Sequence, residues 1–260
     1  MRLKAAVISH VGLIRKNNED NFNLCGAYRE NIDETETRMI LEKNDRMAVF
    51  AVCDGMGGEE AGEIASLIAV KCFHGAIQVD ILEEAEKDMN EANLQVAEER
   101  KRRGSGRIGC TAAVLYIDDG AAIACNVGDS RVYLFRQGVL RQLTTDHSQT
   151  QFLVDAGMMS EDEAEHDRRK HILTQHIGMF PEELSLSPTY SNFFLIKPDD
   201  RILICSDGLT DMLSGNEIAG YLSESITPSD TVRDLVGAAL RAGGRDNVTV
   251  MVVDISKGDE

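Results

Sequence analysis

Short apolar runs that stop on an acidic residue beside a glycine punctuate this chain, and they predict its strands. The clearest is Phe50-Ala51-Val52-Cys53, which ends on Asp54-Gly55-Met56-Gly57-Gly58. It reads as a buried strand over 47–53 that delivers Asp54 to an edge. The glycines let the backbone turn sharply and come close to whatever Asp54 holds. The arrangement returns at Asn126-Val127-Gly128-Asp129-Ser130-Arg131, Ile204-Cys205-Ser206-Asp207-Gly208 and Gly243-Gly244-Arg245-Asp246-Asn247.

From the N-terminus, the pattern predicts a strand over 3–9, then a charged loop over 12–21. Residues 28–45 are polar and acidic without periodicity and read as an exposed insertion or an irregular hairpin. A helix is expected over 59–77, with Ile64, Leu67, Ile68 and Cys72 on one face and Glu59, Glu60 and Glu63 at its positive end. A second helix covers 80–103, with Leu82, Ala85, Met89, Ala92 and Val96 aligned and Gly104-Ser105-Gly106 as its stop. Its terminal run, Arg100-Lys101-Arg102-Arg103, is explained by complementarity to the helix dipole rather than as a docking patch. Strands over 110–117, 121–127, 131–136 and 139–143 follow at hairpin spacing and suggest an antiparallel meander. Residues 147–178 change character and read as a mobile helical excursion. Strands over 191–196 and 201–205, helices over 216–223 and 229–241 and a strand over 248–255 complete the chain. Strand hairpins with helices gathered in two blocks predict an α+β fold: two antiparallel sheets packed as a β-sandwich with helices outside, in one domain spanning 1–260.

Composition narrows the function classes. The 260 residues carry 27 Lys and Arg against 44 Asp and Glu, a formal charge of −17, so the average field repels nucleic acid and anionic membrane and favours divalent cations. Six cysteines without a C-x-x-C pair, four of them (Cys53, Cys110, Cys125, Cys205) in or beside apolar runs, predict reduced buried thiols and a cytoplasmic protein. No apolar run is long enough to cross a bilayer, and a secretory leader is not evident.

The chemistry follows from where the acids sit. Asp20, Asp54, Asp129, Asp207 and Asp246 each lie at a strand end or in a loop beside one. If several of them converge on one rim, they require cations, because like charges at short range force protonation or neutralisation. Oxygen ligands without a His or Cys triad select Mg²⁺ or Mn²⁺. Water held between two such ions is a nucleophile near neutral pH and suits in-line displacement at phosphorus. Arg15 offers a planar fork for two phosphate oxygens.

Taken together, Arg15 with Asn18-Glu19-Asp20, Asp54-Gly55-Met56-Gly57-Gly58, Gly109-Cys110-Thr111, Gly128-Asp129-Ser130-Arg131, Asp146-His147-Ser148, Ser206-Asp207-Gly208-Leu209 and Arg245-Asp246-Asn247-Val248-Thr249 resemble the metal-dependent protein serine/threonine phosphatases of the protein phosphatase 2C type, in their bacterial branch. The resemblance runs in order from about residue 9 to 255. It implies a central β-sandwich flanked by helix pairs, a helical flap at about 154–177, and metals in a cleft at one end. It implies two to three Mn²⁺ or Mg²⁺ ions, with Asp54 bridging two of them and the Gly55 carbonyl on one. Asp207 and Asp246 complete the ligand set, Glu19 and Asp20 hold metal-bound waters, and Asp129 serves a third, weaker site. Arg15 matches the phosphate-binding arginine. The implied activity is hydrolysis of phosphoserine and phosphothreonine in proteins, counteracting a serine/threonine kinase.

The chain departs from the pattern in places. Met56 stands where some members have a histidine proposed as general acid, which leaves His166 of the flap as the candidate for that role and His147 as a loop anchor. The flap reads His166-Asp167-Arg168-Arg169 and Gln175-His176 where relatives differ, so substrate selection transfers least. A cysteine-phosphatase reading of Cys125 and Arg131, which satisfy C-x₅-R, fails because Asp129 would put a negative charge inside a phosphate cradle. A catalytically degenerate metal- and phosphoprotein-binding module is the alternative from another class; its signature would be loss of Arg15 or of a core aspartate, and all are present.

Overall fold

The computed structural model describes residues 1–44, 47–57, 61–74, 77, 79–104, 108–180, 182 and 184–257. Gly58, Glu59, Glu60, Ser105 and Gly106, all used in the reading above, lie outside the described residues. The strands are β1 (Arg2–His10), β2 (Asn21–Leu24), β3 (Ala27–Tyr28), β4 (Glu36–Lys43), β5 (Met47–Cys53), β6 (Gly55–Met56), β7 (Gly109–Cys110), β8 (Ala112–Asp118), β9 (Ala121–Val127), β10 (Arg131–Arg136), β11 (Val139–Gln142), β12 (Thr189–Tyr190), β13 (Phe194–Leu195), β14 (Arg201–Cys205) and β15 (Val248–Ser256). The helices are α1 (Gly62–Cys72), α2 (Ile81–Arg103), α3 (Gln149–Asp155), α4 (Glu161–His166), α5 (Asp207–Thr210), α6 (Gly215–Glu224) and α7 (Pro228–Arg241).

Two antiparallel sheets carry the fold. One runs β11-β10-β14-β15-β1-β4, and the other runs β12-β9-β8-β5-β2-β3 with β13 also on β9. The period of two along each strand sorts side chains into separate cores. On β5, Ala48, Phe50 and Val52 point between the sheets, where they join Phe22, Leu115, Ile204 and Met251. Val49, Ala51 and Cys53 point outward to Ala65, Ala69, Met89 and Val96 of α1 and α2. On β15, Val250 and Val252 face Leu235 and Ala239 of α7. Because helices cover both outer faces, the central strands are buried on two sides and read as unbroken apolar runs. The α+β sandwich expectation therefore holds.

Several local expectations are corrected. Residues 36–43 are a regular edge strand, β4, paired along its length with β1. Its alternation was hidden because an edge strand half-buries one face (Met39, Leu41) and leaves Ile40 exposed. The four strands read as one meander are two hairpins in opposite sheets: β8 pairs with β9 and β10 with β11, with the chain crossing between the sheets at 128–130. Thr111 interrupts the strand expected over 110–117. Of the strand expected over 191–196 only β13 (Phe194–Leu195) forms, with β12 just ahead of it; between the two, the Ser191 hydroxyl donates to the Asn192 carbonyl while accepting from the Ala124 amide. Helix α1 stops at Cys72, where Phe73 leaves the helical path into the core. Its buried face is Ala65, Ser66, Ala69, Val70 and Cys72, of which Cys72 was expected there; Ile64 and Ile68 are half-buried. Helix α2 matches its reading, with Asp80 capping the Leu82 amide and Gly104 ending it at φ 65°. In its basic end Arg102 and Arg103 pair with Glu99, while Arg100 donates to the Gly178 carbonyl at 3.1 Å and stacks over Phe180.

Register then places the site. Cys53 pairs with Asn21, Ala112 with Val127, Arg131 with Cys205, Cys205 with Val250 and Val248 with His10. The strand ends that bear Asp20, Asp54, Asp129, Asp207 and Asp246 therefore come out at one end of the sandwich.

A candidate metal centre at the sandwich end

That end opens into a cleft of about 690 Å³ whose wall includes Arg15, Glu19, Asp54, Gly55, Asp129, His166, Asp207 and Asp246. Asp20, also named from sequence, sits behind this wall with no exposed surface. Its Oδ2 accepts the Ser206 hydroxyl at 2.7 Å.

Backbone contacts weld the segments that carry these side chains. The Glu19 amide donates to Asn247 Oδ1 at 2.8 Å, and the Asn247 side-chain amide donates to the Val11 and Asn17 carbonyls. The Ser66 hydroxyl donates to the Glu19 carbonyl at 2.6 Å. Arg29, fully buried, donates to the Asn18 and Asp20 carbonyls at 2.7 and 2.6 Å. A side chain on Gly55 would begin 2.2 Å from the Gly62 carbonyl oxygen and 2.5 Å from that of Glu19, so the loop, strand end and helix start close up only around a glycine. Arg131 grips Asp146 through both carboxylate oxygens, and His147 accepts the Gly128 amide on Nδ1 at 3.1 Å and donates its own amide to the Gly128 carbonyl, anchoring the Asp129 crossing.

Electrostatics set the chemistry. Burial, followed by the charges of Asp20, Asp207, Asp129 and Asp246, holds the Asp54 carboxyl well above the ordinary carboxylate range. Asp207 is raised in the same way by burial and by Asp129, Asp211 and Asp246. Burial pushes Glu19 and Asp129 up to about 7 and Asp20 to about 6. Oδ1 of Asp20, Oδ1 of Asp207 and Oε1 of Glu19 are buried acceptors without a hydrogen-bond partner among the described residues. Orphaned carboxylate oxygens of this kind are costly. Hard divalent cations take carboxylate oxygens of this kind, so the residues gathered here fit such a metal. Arg15 is the near counter-charge, its Nη2 2.7 Å from Asp246 Oδ2.

The flap adds groups that the sequence reading missed. Lys170 Nζ lies 2.9 Å from Asp211 Oδ1, and His171 Nδ1 lies 3.6 Å from Asp211 Oδ2 and 4.0 Å from Asp207 Oδ2. His171, Asp207 and Asp211 thus form a further cluster with metal-ligand geometry. Asp211 was findable, because it stands one helical turn after Asp207; His171 was not, because nothing in a basic run tells which member folds inward. His166 lines the cleft, with Nδ1 2.9 Å from the Asp162 carbonyl of its own helix.

The family profile described as Protein phosphatase 2C matches residues 7–151. Over 267 aligned positions the chain is 34% identical to Protein phosphatase PhpP of Streptococcus pneumoniae, covering 99% of each chain. The chain belongs to the protein phosphatase 2C family. It is 32% identical to the Serine/threonine phosphatase stp of Listeria monocytogenes, over 94% of this chain and 92% of that one. The catalytic domain of the serine/threonine protein phosphatase PstP, solved with two manganese ions, superposes with a TM-score of 0.79 at 28% identity over 99% of this chain and all of that domain. This family is metal-dependent. Among the described residues no helix is long and apolar enough to cross a membrane.

Proposed function

We propose that this protein hydrolyses phosphoserine and phosphothreonine in other proteins, using two to three Mn²⁺ or Mg²⁺ ions held by Asp54, the Gly55 carbonyl, Asp207, Asp246 and, at a weaker site, Asp129. The observation that carries the reading is the set of carboxylate oxygens buried without partners among the described residues, those of Glu19 and Asp207 on the cleft and Asp20 behind it, beside Arg15. When bound, the cations supply charge neutralisation at the phosphoryl oxygens and an activated water. Glu19 and Asp20 would order water around the bound cations. Arg15 exchanges its contact with Asp246 for two phosphate oxygens and orients the phosphorus for in-line attack. Met56 cannot donate a proton, and His166, on the cleft wall with Nδ1 held by its own helix, is the group assigned to the leaving oxygen. The physiological substrates are phosphoproteins of the cytoplasm, the targets of a serine/threonine kinase.

The test is release of phosphate from a phosphothreonine peptide, with chelator and then Mn²⁺ or Mg²⁺ added back. Activity lost to the chelator, restored by metal and abolished in Asp207→Asn is the expected result. Wild-type protein that binds the phosphopeptide but stays inactive with each metal would replace this reading with that of a degenerate binding module.

A further inference from the structure

Arg168 of the flap and Arg245 of the loop before β15 share the cleft wall with Arg15. Both are exposed, and among the described residues no hydrogen bond or ion pair reaches either guanidinium. The neighbouring cations are all engaged: Arg15 with Asp246, Arg169 with Asp167, and Lys170 with Asp211. On a chain of net charge −17, uncommitted arginines are not needed for solubility. Two forks left open on the rim of a phosphate-handling cleft are disposed to receive anions from outside.

We infer that Arg168 and Arg245 form an anion subsite beside the catalytic centre. It selects phosphorylated segments that carry a further anionic group, a carboxylate side chain or a second phosphate, near the residue to be dephosphorylated. The inference rests on the phosphatase reading above. Arg15 and the bound cations take the reacting phosphoryl group, so the two outer arginines are left for its neighbours in the substrate. Carboxylates on the same wall oppose them: Asp167 and Asp246, next to the two arginines in the chain, are paired with Arg169 and Arg15, and Glu165 is exposed and without a partner among the described residues. The protein's overall negative charge also repels acidic segments, but at physiological salt that field decays within about 8 Å, whereas a contact pair at the rim does not depend on it.

Three phosphothreonine peptides decide the matter, assayed with Mn²⁺: one flanked by alanines, one by aspartates and one by a phosphoserine. The readout is the ratio of kcat/KM for each anionic peptide to that for the alanine peptide. In the wild type the ratio exceeds one for at least one anionic peptide, with the gain in KM. Arg168→Ala and Arg245→Ala each lower it about three- to fivefold, the scale of one exposed charge pair. Glu165→Gln raises it, and Arg141→Ala, which removes the same charge away from the cleft, leaves it unchanged. A gain confined to the phosphoserine peptide assigns the subsite to a second phosphate, and a gain for both assigns it to anions in general. A wild-type ratio at or below one, or a ratio indifferent to both arginine substitutions, overturns the inference. Loss of metal-dependent hydrolysis of p-nitrophenyl phosphate by the wild type would instead strike the phosphatase reading itself.

Discussion

Asp54 and Thr111 hold each other by two bonds: the Thr111 amide donates to the Asp54 carbonyl at 2.8 Å, and the Asp54 amide donates to Thr111 Oγ1 at 3.0 Å. The hydroxyl is shared in turn with Ser130 Oγ at 2.7 Å, one residue from Asp129. One threonine therefore positions the acids that end two strands. Thr111→Val keeps the shape and removes the hydroxyl, leaving the Asp54 amide unpaired. The expected cost is about 1–3 kcal/mol in urea unfolding, with weaker Mn²⁺ binding by calorimetry. Unchanged metal affinity would show that the threonine serves folding alone.

Gly55 and Gly220 separate packing from conformation. Gly55→Ala drives a Cβ against two backbone carbonyl oxygens that cannot yield, and the expected loss is about 4 kcal/mol or more, seen as little folded protein or a large drop in Tm. Gly220, inside α6 with nothing within 4 Å of its Cβ position, is the control: Gly220→Ala should stabilise by about 0.5–1 kcal/mol.

Asp88 gives the fold a pH dependence remote from the cleft. It is buried on α2, where Tyr116 donates to its Oδ2 at 3.0 Å, and burial raises its carboxyl to about 6. The unfolded chain ionises near pH 3.9. The native state thus holds this proton more tightly, so the contribution is complete below about pH 4 and is lost as pH rises through 6. Asp88→Asn does not titrate. Relative to wild type it should gain on the order of 2 kcal/mol between pH 4 and pH 7, measured by denaturant unfolding at both values. A difference independent of pH would refute the assignment.

The flap is fastened at its C-terminal end and pinned ahead of it. Cys110 and Ile177 exchange backbone bonds, and Thr174 donates to the His147 carbonyl. Upstream, no residue of α4 is buried, and Ser160 and Glu163 close its start with a reciprocal cap. Between α4 and Thr174, Lys170 and His171 reach Asp211. The double variant Lys170→Ala/His171→Ala should speed amide hydrogen exchange across 160–172 and leave β5 and β15 unchanged, since exposed pairs of this kind are worth about 0.5 kcal/mol each.

Much of the fold was legible because local chemistry agreed with it. Asp80 and Gly104 bound α2, and the unbroken apolar runs of β5, β14 and β15 announce strands covered on both faces. β4 was not legible, because an edge strand with one half-buried face carries too weak an alternation. The separation of two hairpins into opposite sheets was also hidden, since hairpin spacing is the same whichever sheet receives the pair.

The sequence alone determined the family, the sandwich and the acids at strand ends, because each rests on residue type and order within a few positions. Only the tertiary structure decided that Asp20 lies behind the cleft wall, that Arg29 and Asn247 bind the loop of Arg15 and Glu19 to the core, and that His171 turns in while Arg168 and Arg245 stay open. These depend on contacts between segments as much as 236 residues apart, as in Asn247 with Val11. Which charge meets which partner is set by the register of strands that the chain's order does not make neighbours.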